Sequence, residues 1–249
     1  MKRQRLNWQE KVRKNVRKIM DFEHVKAVFE EYLNGYDREN DKVKLKIVHT
    51  YGVIRCSEEI GRRMGLQAED MELAKLIALL HDIGRFEQLK RFNSFEADTM
   101  DHATYGVKVL FEEGMIRQFI EEDTWDDVIR TAIAKHSDYE LTGITDERTL
   151  LHARLIRDAD KLDNCRVKLE DAMETLLDLS ADEVGKYAIS PKVREDAFAG
   201  KCICSKDRRT PMDYWVSYVA YFYDLNFQET LDIVAEEQYV KRIIGRVPY

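Results

Sequence analysis

An all-α fold is what this sequence predicts, and three observations predict it. Glycine (11) and proline (3) are scarce in a chain of 249 residues, so few positions interrupt a helix. Charged residues reach 35%, largely Glu, Lys and Arg, which lose little rotamer freedom in a helix. Apolar residues at 44% are enough for a sizeable core, which sets the chain apart from disordered polypeptides.

The elements follow in chain order. The basic opening, MKRQRLNWQEKVRKNVRKIMD, carries Leu6, Val12, Val16 and Ile19 as a stripe opposite its charges, the pattern of a solvated helix with one buried face. His24, beside it, reads as exposed. A helix is expected from Lys42 to Met64, with Leu45, Val48, Gly52 and Cys56 flanking His49 and Gly65 as its stop. The next runs from Ala68 to Ile83, closed by Gly84, and its all-round apolarity marks a central, buried helix. A loop rich in Arg, Phe, Asn and Ser is expected from Arg85 to about Thr99. A short helix, Asp101 to Glu113, carries His102 near its start. Another, Thr124 to Lys135, has Val128, Ile129, Ala132 and Ile133 on one face and His136 at its end.

The last clear helix runs from Glu147 to about Leu177. In it Asp160 follows Ala153 and Ile156 by seven and four residues and so shares their inward stripe. His152, eight residues before Asp160, reads as a capping or surface residue. After Ser180 the pattern is less regular. Pro191, Gly200 and Pro211 bracket DAFAGKCICSKDRRT, read as an irregular loop or small hairpin, and DYWVSYVAYFYDLNF reads as a helix packing against the core. The expected organisation is a helical domain over residues 1–180, with its signature core at about 41–175, and a mainly helical extension over 181–249.

Composition narrows the function. A net charge of −7 argues against a protein devoted to nucleic acid. No apolar run reaches the length of a membrane span, Lys75 interrupts the best candidate, and the charged N-terminus lacks a signal-peptide core. Cys56, Cys165, Cys202 and Cys204 are too scattered for a disulfide framework and read as structural thiols. A cytoplasmic setting is the expectation.

The chemistry gathers at His81-Asp82. The doublet ends the most apolar helix, where an isolated carboxylate is costly, and a metal ion is the economical partner. Of six histidines, His49, His81, His102 and His136 fall in one series with Asp160, each at a helix end or on an apolar face. Imidazole nitrogen and carboxylate oxygen together suit iron, zinc or manganese. Asp158 and Asp163 compete with Asp160 on residue type alone.

In order and local wording (ALLHDIGR, DHATYG, AIAKHS, RDADKLDN) the series resembles the HD-domain superfamily, helical metal-dependent phosphohydrolases, over roughly residues 41 to 175. The resemblance implies that His49, His81, Asp82 and Asp160 hold one divalent ion. It implies that His102 and His136 hold a second, with Asp82 bridging, and it selects Asp160 over its neighbours. The implied cofactor is a divalent transition metal, two ions, iron or manganese first and zinc, nickel, cobalt or magnesium as the other candidates.

Two such ions, roughly 3.5–4 Å apart, lower the pKa of a shared water and neutralise charge on phosphoryl oxygens. Asp82 and Arg85 are therefore the candidate catalytic residues. Arg85, next to the doublet, is the first candidate for substrate phosphate, because a guanidinium matches phosphate oxygens bidentately, and Lys135 and Lys161 are weaker ones. The expected activity is hydrolysis of a phosphoester or phosphoanhydride in a nucleotide or another small phosphorylated metabolite. Two alternatives use the same residues: a di-iron oxygenase of the same fold, and a non-catalytic nucleotide-binding regulatory module.

Overall fold

The computed structural model describes residues 20–96 and 98–249; the expected apolar stripe at Leu6, Val12, Val16 and Ile19 lies outside them. Helix α1 (Phe22–Leu33) starts at Asp21, whose carboxylate accepts from the His24 amide, and it buries Val25, Phe29 and Leu33. Helix α2 (Asp41–Met64) is capped by Asn40, which accepts from the Lys42 and Val43 amides. It ends where Gly65 turns left-handed at φ 71°, the stop its sequence predicts. Val48 on that helix faces outward rather than flanking His49 in the core.

Helix α3 (Ala68–Leu80) is the central one: Leu73, Leu76, Ile77, Leu79 and Leu80 are all 1% exposed or less. Truncating any one of them to Ala would cost about 2–5 kcal/mol. The helix ends at Leu80, three residues earlier than expected, and after the His81-Asp82 break α4 (Ile83–Phe92) begins directly. Most of the expected Arg85–Thr99 loop is therefore helix. Gly84 is not a stop but a point of close approach. A Cβ there would lie 2.2 Å from the His102 carbonyl oxygen and 2.8 Å from the Gly106 amide, on α5 (His102–Val107).

Helix α5 is capped by Asp101 and continues as a π-helical turn, Lys108–Glu112. Helices α6 (Ile116–Phe119) and α7 (Asp126–Lys135) follow, the latter starting two residues later than expected and burying Val128, Ile129, Ala132 and Ile133. The long α8 (Glu147–Glu170) stops at Asp171, short of Leu177, and α9 (Met173–Leu177) is separate. Helices α2, α3, α7 and α8 pack on one another, and α4 and α5 lie against them. Their apolar faces share one core, which Ile233 and Val234 of a later helix join.

Past Ser180 come α10 (Ala181–Val184), α11 (Pro191–Phe198), α12 (Pro211–Ala220), α13 (Gln228–Glu236) and α14 (Tyr239–Ile244), with 3-10 turns at Ser205–Asp207 and Tyr221–Asp224. The segment expected as a loop or hairpin is thus part helix and part irregular, and among the described residues the chain has no strand. Helix α12 begins with Pro211 and a reciprocal cap between Thr210 and Asp213, and it packs through Met212 and Trp215 as its aromatic sequence predicts.

The tie between this segment and α8 is Asp158. Fully buried, it accepts from the backbone of Asn226 and Phe227 and from the Thr230 hydroxyl. No helix among the described residues is long and apolar enough to cross a membrane. The four cysteines are free thiols.

Candidate metal centre

Six side chains from five helices meet at the His81-Asp82 break. His49 enters from α2, His102 from the first residue of α5, His136 from the C-terminal end of α7 and Asp160 from the middle of α8. His49, His81, Asp82, His102 and His136 are all buried, and the Asp160 side chain is 23% exposed.

Each imidazole is turned by what its other nitrogen touches. His81 Nδ1 lies 2.8 Å from the Ala78 carbonyl and His136 Nδ1 2.7 Å from the Ile133 carbonyl. A carbonyl only accepts, so both rings carry their proton on Nδ1 and present a bare Nε2 lone pair. His49 Nδ1 lies 2.8 Å from Asp163 Oδ2, which places its proton likewise. The Nε2 atoms of His49 and His81 are buried and make no hydrogen bond. Burial lowers His81 to about 4 and, with Arg85 beside it, His102 to about 3, so both are neutral near pH 7.

Asp82 divides its carboxylate between two groups. Oδ2 lies 3.5 Å from His81 Nε2 and 4.0 Å from His49 Nε2, and Asp160 Oδ1 is 2.9 Å from that same His49 atom. Oδ1 lies 3.2 Å from His102 Nε2 and 3.6 Å from His136 Nε2. Lys46 donates to Oδ2 at 2.5 Å. Burial alone would raise Asp82, but Lys46 and the surrounding imidazoles outweigh it and hold the carboxyl well below its ordinary range.

His102 Nε2 accepts from the Arg85 guanidinium at 2.9 Å, and the bare His136 Nε2 lies 3.0 Å from it. Two lone pairs face each other with no proton between them, an arrangement that a shared cation relieves. Together with the two orphaned Nε2 atoms, this donor set fits divalent ions. Two overlapping groups have ligand atoms close enough for one ion: His49, His81 and Asp160, and His81, Asp82 and His136.

The remaining candidates fall elsewhere. Lys161 is paired with Asp224 at 2.5 Å, and Lys135 lies at the surface near Asp138 at 3.4 Å, so neither faces the cluster. Arg85 does, while also donating to Gln88 and to the Phe95 carbonyl. Of the two aspartates that rivalled Asp160, Asp158 is the structural tie already described and Asp163 stands behind His49, held by Arg166 Nε at 2.8 Å. His24 is exposed, as expected, and bonded to the Gln118 carbonyl. His152 is buried, not at the surface, and clasps Asp70 at 3.1 Å.

Two contributors, Lys46 and Arg157, escape the sequence reading, and a third, Asp163, enters it only as a rival of Asp160 and not as the partner of His49. Lys46 sits one turn before His49 and Asp163 one turn after Asp160, so helical spacing from the ligands was their only signal. Arg157, 3% exposed, gathers the carbonyls that follow His136, and nothing in its local sequence marks that role.

Comparison with known proteins bears on the same region. A family model described as HD domain matches residues 47–165. Ribonuclease Y from Acetivibrio thermocellus is 30% identical over 165 aligned residues, which take in 63% of this chain and 27% of that protein. No solved structure matches significantly. The helical fold, the matched segment and the convergence of the His and Asp residues within it agree, and residues 47–165 form an HD domain.

Proposed function

We propose that the chain is a metal-dependent phosphohydrolase acting on a nucleotide or another small phosphorylated metabolite. In this reading His49, His81, Asp82 and Asp160 hold one divalent ion, and Asp82, His102 and His136 hold a second. The unit over residues 1–180 carries the centre, and residues 181–249 help to wall it. The observation that carries the proposal is the division of Asp82: Oδ2 turns to one group of donors and Oδ1 to the other.

When bound, such ions would supply an activated water near pH 7 and neutralise charge on the phosphoryl oxygens. The chain's own residues do the rest. Lys46 offsets the charge of the bridging carboxylate, and the Nδ1 partners fix three imidazoles in the ligating tautomer. Arg85 places a guanidinium at the cluster's edge, where it can take phosphoryl oxygens once it turns from His102.

A second reading is favoured by the Ribonuclease Y relative, whose name points to phosphodiesters of RNA. It uses the same centre with a larger substrate, and the net charge of −7 counts against a broad RNA-binding face.

The test combines metal analysis of full-length protein purified without chelator with a hydrolysis screen of nucleotides and short RNAs. Product release with manganese, abolished in Asp82→Ala, is expected, and the preferred substrate separates the two readings. No product from any phosphorylated compound by metal-loaded protein, or substrate-dependent oxygen uptake by the iron-loaded form, would overturn the hydrolase reading.

A further inference from the structure

One buried charge next to the centre has no role in the ligand set. Lys168 lies on α8 two turns beyond Asp160, on the same face and ~12 Å further along the axis, with Asn164 between them bonded to Asp160 Oδ1 at 2.9 Å. It is 7% exposed. Among the described residues its ammonium makes no hydrogen bond and no ion pair; it sits 4.2 Å over the face of the Tyr218 ring. A largely buried ammonium resting on an aromatic face alone is under-compensated, because lysines at such depth are ordinarily paired.

The surroundings deepen that deficit. Burial, with Lys46 adding to it, lowers Lys168 to about 8 against the pull of Asp160 and Asp171. Lys46 itself bonds Asp82 and has the Phe95 ring at 5.9 Å, and it is near enough for Lys168 to feel its charge. Tyr218 and Tyr221 stand edge to face at 5.7 Å, both half-buried, and Tyr221 is near enough to feel the charge of Asp160. Arg208, stacked on the Tyr214 ring at 4.3 Å, acts on the Tyr218 hydroxyl as well. Lys168, with no carboxylate paired to it, and the Tyr218 and Tyr221 hydroxyls beside it describe a cradle for an anion.

We propose that Lys168, with Lys46 and the Tyr218–Tyr221 wall, forms an anion subsite beside the metal centre that holds a second, non-reacting phosphoryl group of the substrate. The inference rests on the hydrolase reading and narrows it: the substrate class is one bearing at least two phosphoryl groups, as in a nucleoside diphosphate or triphosphate, rather than a simple monoester. Lys168 supplies charge two turns beyond Asp160, while Lys46 and Arg85 stand at the centre itself.

The test measures binding rather than turnover. Methylenediphosphonate, whose P–C–P bridge resists hydrolysis, and inorganic phosphate are titrated calorimetrically into manganese-loaded, full-length protein. Wild type should bind the diphosphonate at least about tenfold tighter than phosphate, the effect of one charge-assisted contact. Lys168→Met should bring the two anions to nearly equal affinity and Lys168→Arg should keep the preference. Lys168→Gln serves in place of the Met variant if that one fails to fold, judged by thermal denaturation.

Equal affinities in wild type, or an undiminished preference in the Met or Gln variant, overturn the subsite. Either result can coexist with active monoester hydrolysis, so the subsite can fail while the hydrolase reading survives. Conversely, a Lys168-dependent preference in a protein that hydrolyses nothing would leave the subsite standing alone.

Discussion

His49 and Asp163 form a 2.8 Å pair, Nδ1 to Oδ2, at the junction of α2 and α8. The pair works because Gly52, one turn past His49, has no side chain: a Cβ there would lie 1.9 Å from Asp163 Oδ1. Arg166 holds the far side of the carboxylate at 2.8 and 3.0 Å. Burial would raise Asp163, but His49 and Arg166 outweigh it and hold it below the ordinary carboxylate range, so it stays an acceptor for the imidazole proton. The glycine, the arginine and the aspartate act together on one lone pair, His49 Nε2.

Asp163→Asn and Gly52→Ala should therefore weaken divalent-metal binding by about 10- to 100-fold, the usual cost of removing a carboxylate behind a ligating histidine. Competition with a chelating dye measures it. Unchanged metal affinity in both variants would show that the orientation of His49 does not depend on Asp163.

The division of Asp82 leads to a stoichiometric expectation. His102→Ala and His136→Ala should each lose one ion per chain while retaining the one near His49, and Asp160→Ala should do the reverse. Asp82→Ala should lose both. Metal content of dialysed protein, read by mass spectrometry, decides. A wild-type chain that never exceeds one equivalent at saturating metal would reduce the centre to a single ion.

Much of this was legible in the sequence because helical periodicity and capping are local. Gly65 ends α2, and Val128, Ile129, Ala132 and Ile133 of α7 face the core, as the sequence predicts. The residues that the structure brings together could be picked out because each histidine and aspartate stands at a helix end or on an apolar stripe. What escaped was set by tertiary approach. Gly84 looks like a terminator, yet it is small because the backbone of His102 and Gly106 passes against it. His152 looks like a cap, yet its partner, Asp70, comes from another helix. Lys168 resembles any surface lysine of an amphipathic helix until α12 brings Tyr218 against it.

The His152 clasp gives a pH dependence. Burial lowers its pKa below the ordinary imidazole value of about 6.5, and Asp70 only partly restores it. The unfolded chain therefore binds this proton more readily than the folded one. The contribution to stability is present above about pH 6.5 and is lost as pH falls from there toward the lower folded value. In His152→Gln that part of the slope should vanish. Urea midpoints of both proteins at pH 7.5 and 5.5, in the same metal state, measure it; the gap between them should shrink at the lower pH. A constant gap would mean that His152 folds in without preference for its neutral form.

Arg157 sets the limit of what a single buried cation can organise. Its guanidinium donates to the carbonyls of Lys135, His136 and Tyr139 at 3.3 Å, to the Asp138 carbonyl, and to Asp224 at 2.6 Å. It thereby satisfies the open C-terminal end of α7, the end that carries His136. Arg157→Met would strand the His136 carbonyl and take the donor from three part-buried ones, leaving Asp224 to Lys161 alone, at a cost of about 2–3 kcal/mol. Lys161→Met removes the other cation on Asp224 and one long contact to the Asp224 carbonyl, which Asn226 also reaches, so it should cost no more than about 1 kcal/mol. Urea unfolding of the two variants separates the cases. Similar losses in both would mean that the ion pair with Asp224, and not the capping of α7, is what Arg157 provides. With the loss confined to Arg157→Met, the ion held by His136 should also become the more weakly bound of the two, because the helix end that aims its Nε2 is the part set loose.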